Sequence, residues 1–235
     1  MDPDTAIGGA RNRFPSTEQS LLEAAARGLA PEALERVAAL YWKPVYRFIR
    51  LKFHKDNEDA KDLAQSFFAT ALERDFFARF DPAKGAFRTY LRMAVERFAA
   101  NAHAAAKRRK RGGGIEFEPL DELAAAAESP AESPEAAFDR EWRRQLFALA
   151  LDDLRERCEA AGKQTRWRVF AAYDLTEDER PSYAALAERF AIPETSVTNH
   201  LAWARSTLRA LVEQRMRGVT SGERELREEL RRIWT

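Results

Sequence analysis

"SYAALAERFAIPETSVTNHLAWARSTLRAL", residues 182–211, holds two short helical patterns separated only by residues 190–193. Ser182 is suited to cap the first, since its hydroxyl can accept a backbone N–H that the opening turn leaves without a partner. Tyr183, Leu186, Ala187 and Phe190 give that helix one apolar side. In the second pattern Val197, Leu201, Ala204, Leu208 and Leu211 fall in one narrow sector at about 100° per residue. The opposite side presents Thr195, Asn199, Ala202 and Ser206, with His200, Trp203, Arg205 and Arg209 beside it. Amides and hydroxyls flanked by cations suit a helix laid in the major groove of duplex DNA, where short polar groups reach base edges and arginines hold phosphates. That is the helix-turn-helix arrangement. The turn lacks the glycine often found there, and a solvated amphipathic pair would carry much of the same pattern, so the remainder of the chain has to decide.

Working outward, alanine, leucine, glutamate and arginine dominate the 235 residues. No segment sustains strand alternation, and the fold class expected is all-α. Helices are expected over residues 17–27, 31–53, 58–73 and 86–110, the last following the turn "FDPAKG" (residues 80–85). "RGGG", ending at Gly114, stops this first domain, because three glycines cost too much backbone entropy for a helix to continue. Residues 115–137 hold seven acidic side chains and no basic one, and "SPAESP" lacks the apolar residues needed to fold, so the stretch reads as a flexible, self-repelling linker. Helix resumes near Pro134 and carries Trp142, Leu146, Leu149 and Leu154; another is expected over residues 165–173 before the pair. The closing "GERELREELRRIWT" places Leu226, Leu230, Ile233 and Trp234 on one face. The division expected is an N-terminal extension (1–30), a helical bundle (31–112), an acidic linker (113–138), a helix-turn-helix domain (139–215) and a helical tail (216–235).

Charge and composition narrow the function classes. The formal net charge of +1 argues against a protein that coats nucleic acid without selection, yet "KRRKR" (residues 107–111) is a run of five cations beside the acidic linker. The start has neither the positive flank nor the apolar run of a signal peptide, and no stretch approaches a membrane helix, so a cytoplasmic location is expected. One cysteine, Cys158, excludes an internal disulfide and a multi-cysteine zinc site. His54, His103 and His200 lack paired-ligand spacing; no glycine-rich phosphate loop and no nucleophile motif is present, so no catalytic residue, metal or cofactor is expected. Asp56, Glu58 and Asp59 beside His54 could suggest a metal site, but such acids also gather in ordinary turns between helices.

"YWKPVYRFIR" (41–50), "DAKDLAQSFFATAL" (59–72), "FDPAKGAFRTYL" (80–91) and "KRRKRGGG" (107–114) occur in that order ahead of the helix pair. Together they resemble the bacterial extracytoplasmic-function (ECF) sigma factors of the sigma-70 superfamily, over residues 31–215. The resemblance implies a region-2-like bundle and a region-4-like helix-turn-helix, and it implies promoter recognition in the service of bacterial core RNA polymerase. On the helix over residues 58–73, Asp59, Asp62, Gln65 and Ser66 share one side; by resemblance that side grips the beta-prime clamp, and the C-terminal domain meets the beta flap. Arg88 and Arg92 are expected to face outward with Arg97, Asn101 and His103 nearby, where the family receives the minus-ten element with bases turned out of the stack. Extruding a base without ATP needs cations for the backbone, which Arg88, Arg92, Arg97, Lys107, Arg108 and Arg109 can supply. Thr195, Ser196, Thr198, Asn199, His200, Trp203 and Arg205 are the candidates for reading minus-thirty-five duplex DNA.

Two departures bear on regulation. Lys61 and Ser66 stand where the family usually has acidic residues, which weakens docking on a basic partner surface. Phosphorylation of Ser66 or Thr70 by a serine/threonine kinase would restore charge at about −2 per phosphate; an anti-sigma factor is the other expected controller. Trp203 stands where a basic residue is common. The rival expectation is a transcriptional regulator whose helix-turn-helix binds duplex DNA without polymerase.

Overall fold

The computed structural model describes residues 31–234 except 74–75, 78, 112–131, 178 and 221, with side chains of 31–34, 72–73, 82 and 106–111 also outside the description. Among the described residues every regular element is helical, as the composition predicts. The chain divides into two compact units, Met1–Trp142 with Gly218–Glu225, and Arg143–Arg217 with Leu226–Thr235. The expected helix over residues 17–27, the triple glycine and most of the acidic linker lie outside the described residues.

The first unit is built on α1 (Pro31–Lys52), α2 (Asn57–Glu73) and α3 (Phe87–Arg111). Val37, Leu40, Tyr41, Val45, Phe48 and Ile49 bury one side of α1. The helix ends where His54 takes a left-handed conformation, φ 49°, and the Lys55 N–H reaches back to the Arg50 carbonyl at 3.1 Å. Asp56 then starts α2 by accepting the Asp59 N–H at 2.8 Å, and the acids of the first turn favour the positive end of the helix dipole. Ala60, Ala64, Phe67 and Ala71 form its buried row, the small alanines letting α1 and α2 approach closely. Before α3, Asp81 accepts the Ala83 N–H at 3.0 Å around a turn of 3-10 helix, Pro82–Lys84. Gly85 follows at φ 141°, a conformation that glycine adopts without a steric penalty.

Phe87, Leu91, Val95 and Ala99 are the buried row of α3. The Phe67 ring meets Phe76 and Phe98, each at 5.7 Å between centroids. The same core also takes in the opening turns of α4 (Pro134–Ala160). Ala137 and Phe138 are fully buried, and the Phe138 ring lies 6.5 Å from Tyr41 and 6.0 Å from Phe48. The sequence predicts a linker over residues 113–138 and the second domain from residue 139; the division between units falls after Trp142, within α4. Burial of Phe138 and Trp142 in the first core sets it there.

The second unit contains the remainder of α4, α5 (Gln164–Asp174), α6 (Tyr183–Phe190) and α7 (Glu194–Gly218), with the last turns of α8 (Glu223–Trp234). Its core includes Leu146, Ala150, Leu154, Val169, Phe170, Leu186, Val197, Leu201, Val212 and Met216. Asp153 of α4 holds Arg215 of α7 through two bonds of 2.6 and 2.7 Å, both side chains about 10% exposed. A buried pair of this kind is costly to break from one side, because the remaining charge loses its partner. Cys158 is buried, and burial pushes its thiol pKa up, which disfavours the thiolate. No helix among the described residues is long and apolar enough to cross a membrane.

Replacing Phe138 by Ala should destabilise the first unit by about 3–5 kcal/mol. Amide exchange across α1 measures this: faster exchange is expected, and an unchanged pattern would mean that α1 does not depend on this residue of α4.

Candidate nucleic-acid interface

The helix pair forms as its local chemistry dictates. Ser182 accepts the Ala185 N–H at 3.1 Å and so caps α6. Ala191 closes that helix in the left-handed region, φ 52° and ψ 48°. This is the position where glycine would avoid a penalty of roughly 1 kcal/mol. The Ile192 N–H continues the cap by bonding to the Ala187 carbonyl at 3.0 Å. Pro193 then offers its carbonyl to Ser196 and Val197 at 2.9 and 3.3 Å, setting the first turn of α7.

Val197, Leu201 and Ala204 face inward along α7, while Thr195, Thr198, Asn199, Ala202, Arg205 and Ser206 are exposed. Ser196, His200 and Trp203 are half-buried at the margin. The exposed row is therefore short, polar and uninterrupted by a large apolar side chain. Arg205 is less available than its exposure suggests. Its Nε and Nη2 donate to the two Asp174 oxygens at 2.8 and 2.9 Å, and its guanidinium lies 5.6 Å from the Tyr173 ring centre. In this conformation Arg205 ties α7 to the end of α5. Arg209 is likewise placed 4.9 Å from the Trp234 ring centre.

Arg166 of α5 was not among the residues singled out from the sequence. Its guanidinium sits 4.9 Å from the Trp203 ring centre, bringing a cation beside that ring. The signal was available only as an arginine on the preceding helix α5, and its pairing with Trp203 depends on how α5 crosses α7. Burial, reinforced by the Arg166 charge, lowers the pKa of His200. The imidazole is thus held neutral near neutral pH and can serve as both donor and acceptor.

In the first unit α2 exposes Glu58, Asp59, Asp62, Gln65 and Ser66 around the buried Ala60, Ala64 and Phe67. Asp59 pairs with Lys55 at 3.0 Å, and Lys61 with Glu58 at 3.2 Å. Lys61 is accordingly held by a neighbouring acid. Tyr46 donates its hydroxyl to Asn57 Oδ1. Asp56 and Asp59, which the sequence left open as neighbours of His54, act in helix capping and a local ion pair. Among the described residues no group of three His, Cys, Asp or Glu could hold a metal ion. Thr70 is half-buried and Ser66 exposed, so of the two candidate acceptors Ser66 is the more accessible.

On α3, Arg97 and Asn101 are exposed and Arg92 and His103 half-buried; the side chains of Lys107, Arg108 and Arg109 lie outside the described residues. Arg88 differs from its expected outward placement. Its side chain is only 13% exposed, donates to Asp139 Oδ1 at 3.0 Å and lies 4.4 Å from the Trp142 ring centre. Met93, 59% exposed, stands between Thr89 and Arg97 on the four-residue row that ends at Asn101. Sequence reasoning overlooked it, although an apolar residue spaced by four from exposed polar ones was a usable signal. No family model matches the chain, and no curated protein matches its sequence.

The placement of Arg166 sets a direct test by NMR. The His200 imidazole should titrate below the ordinary histidine range, and Arg166→Ala should raise its midpoint only in part, since burial is the larger cause. A midpoint already at the ordinary value in the unsubstituted chain would contradict the half-buried placement. The sign for stability follows: neutral His200 favours the fold above its ordinary pKa, and that contribution is lost as the pH falls.

Proposed function

We propose that this chain is an ECF-type sigma factor, which directs bacterial core RNA polymerase to specific promoters and assists melting of the minus-ten region. The observation that carries the reading is the exposed face of α7: Thr195, Thr198, Asn199, Ala202 and Ser206 all point away from a core of Val197, Leu201 and Ala204. That is the surface a major-groove helix requires. It occurs in the same chain as a separate helical unit whose α2 offers Asp59, Asp62, Gln65 and Ser66 to a partner. The order of the motifs in the sequence agrees with this division of labour.

On this reading Asn199, Thr195, Thr198 and Ser196 read minus-thirty-five base edges, with neutral His200 as a further hydrogen-bonding group. Trp203 packs on Arg166 and offers apolar surface beside the helix, where a thymine methyl could be received. Arg205 orders the helix through Asp174, and contributes to phosphate binding only if that pair opens. The α2 face docks on the beta-prime clamp, and the C-terminal unit on the beta flap. Arg92, Arg97, Asn101 and His103 of α3 serve the minus-ten strand with Lys107, Arg108 and Arg109, and Met93 adds a polarizable apolar contact for an unstacked base. The protein catalyses nothing, needs no cofactor and works in the cytoplasm.

The deciding experiment mixes the purified chain with bacterial core RNA polymerase, then assays transcripts from a promoter library. Co-elution with new transcripts is expected; duplex binding without any affinity for core would favour a polymerase-independent regulator. Asp59→Lys with Asp62→Lys should weaken core binding roughly tenfold while sparing duplex binding, and Ser66→Glu should strengthen it. Asn199→Ala should cost about 1–3 kcal/mol of specific duplex binding and relax selectivity at one base pair. Equal loss on all sequences would assign Asn199 to the backbone instead.

A further inference from the structure

Three carboxylates, two from the opening turns of α4 and one from α8, lie around the first turns of α3. Asp139 accepts from Arg88 at 3.0 Å while the Trp142 ring covers the guanidinium at 4.4 Å. Glu135 binds Lys52 at 2.8 Å, where Lys52 also pairs with Glu96 at 3.3 Å. Arg92 is near enough to Glu135 to favour its ionised form. At the N-terminus of α3 itself, Glu225 Oε1 accepts the Phe87 N–H at 3.1 Å. All of these residues belong to one compact unit.

Each carboxylate stands where an anion is favoured: on a guanidinium, on an ammonium, and at the positive end of a helix. A nucleic-acid phosphate would seek the same three places. With its side chain 13% exposed, held by Asp139 and covered by Trp142, the Arg88 guanidinium offers little to a phosphate or a base in this conformation. Phe138, anchored between Tyr41 and Phe48, holds the acidic turn in register over Arg88.

We infer that residues 134–142, with Glu225, act as an internal mimic of the DNA backbone that masks the Arg88 end of α3 in the free chain. The inference rests on the promoter reading for its purpose, since minus-ten DNA is the proposed competitor. Binding of DNA at Arg88 then requires this segment to lift, and the apparent affinity falls by the fraction of molecules in which it has done so. The masking surface is intramolecular, so its effect does not depend on protein concentration.

The test uses the full chain and a fluorescein-labelled single-stranded oligodeoxynucleotide of random sequence, followed by anisotropy at low salt where phosphate contacts dominate. Glu135→Gln with Asp139→Asn should bind about tenfold more tightly than the unsubstituted chain, and adding Arg88→Ala should remove the gain. Amide exchange at residues 134–142, measured without DNA, should accelerate in the double variant. Glu225→Gln, which leaves Phe138 and Trp142 in place, should give a smaller gain in the same direction. The inference is overturned if the double variant, folded by circular dichroism, binds no better, or if its gain survives Arg88→Ala. Unchanged exchange at residues 134–142 would overturn it too. Co-elution of the same variants with core polymerase keeps the two ideas apart. It depends on α2, so its failure in every variant counts against the promoter reading, while masking is judged only by the Arg88-dependent gain.

Discussion

The Phe138 ring, fully buried and set between Tyr41 and Phe48, is the constraint on which the arrangement of the first unit depends. It joins to α1 a piece of chain that follows a long intervening segment. The entropy of closing a loop rises only slowly with loop length, so burial of one aromatic side chain, with Ala137 and Trp142 beside it, is of the right order to offset it. Once Phe138 is seated, the helical repeat fixes its neighbours. Glu135 lies three residues before it and Trp142 four after, hence on the same side of α4. Asp139, adjacent in sequence, is carried to Arg88. The electrostatics at α3 are in this sense a consequence of an apolar anchor.

Much of the fold was legible because helical periodicity and turn chemistry are local. The buried rows of α1 and α2, the Asp81–Gly85 turn and the cap at Ser182 all follow from residues close in sequence. So does the exposed row Thr195, Asn199, Ala202 and Ser206, which the inward row Val197, Leu201 and Ala204 determines by geometry alone. Where the sequence misleads is at α4. Phe138 and Trp142 have the spacing of any amphipathic helix, and nothing local says that these apolar residues belong to the core before the linker and Leu146 to the one after it.

The charged residues show the same limit more sharply. An arginine on an amphipathic helix can be assigned a side, but its partner cannot be read from its neighbours. Arg88 finds Asp139 fifty-one positions away, Arg205 finds Asp174 thirty-one away, and Arg215 finds Asp153 sixty-two away. Counting cations near a polar face therefore overstates the charge that is ready for a phosphate. Arg166 is the opposite case: a cation that its own helix does not mark out gains its place beside Trp203 through packing.

A formal charge of +1 over 235 residues can accompany strong local fields, provided that the opposite charges are paired rather than mixed at random. In the second unit the pairs bind helix to helix: Arg215 with Asp153 is nearly buried, and breaking it from one side would strand a charge in the core. In the first unit Lys52 with Glu135 is more open to solvent, and water can take over either partner at little cost. Arg88 lies between these cases, its guanidinium covered but its acid at the edge. Pairs of the first kind hold helices rigidly together, because no ligand can compete for them without unfolding the helix contact. Pairs of the second kind cost little to open, since water can replace either partner, and the segment is anchored chiefly by the buried Phe138. Firm pairing between α4 and α7 and looser pairing beside α3 thus come from the same residue types, separated by burial.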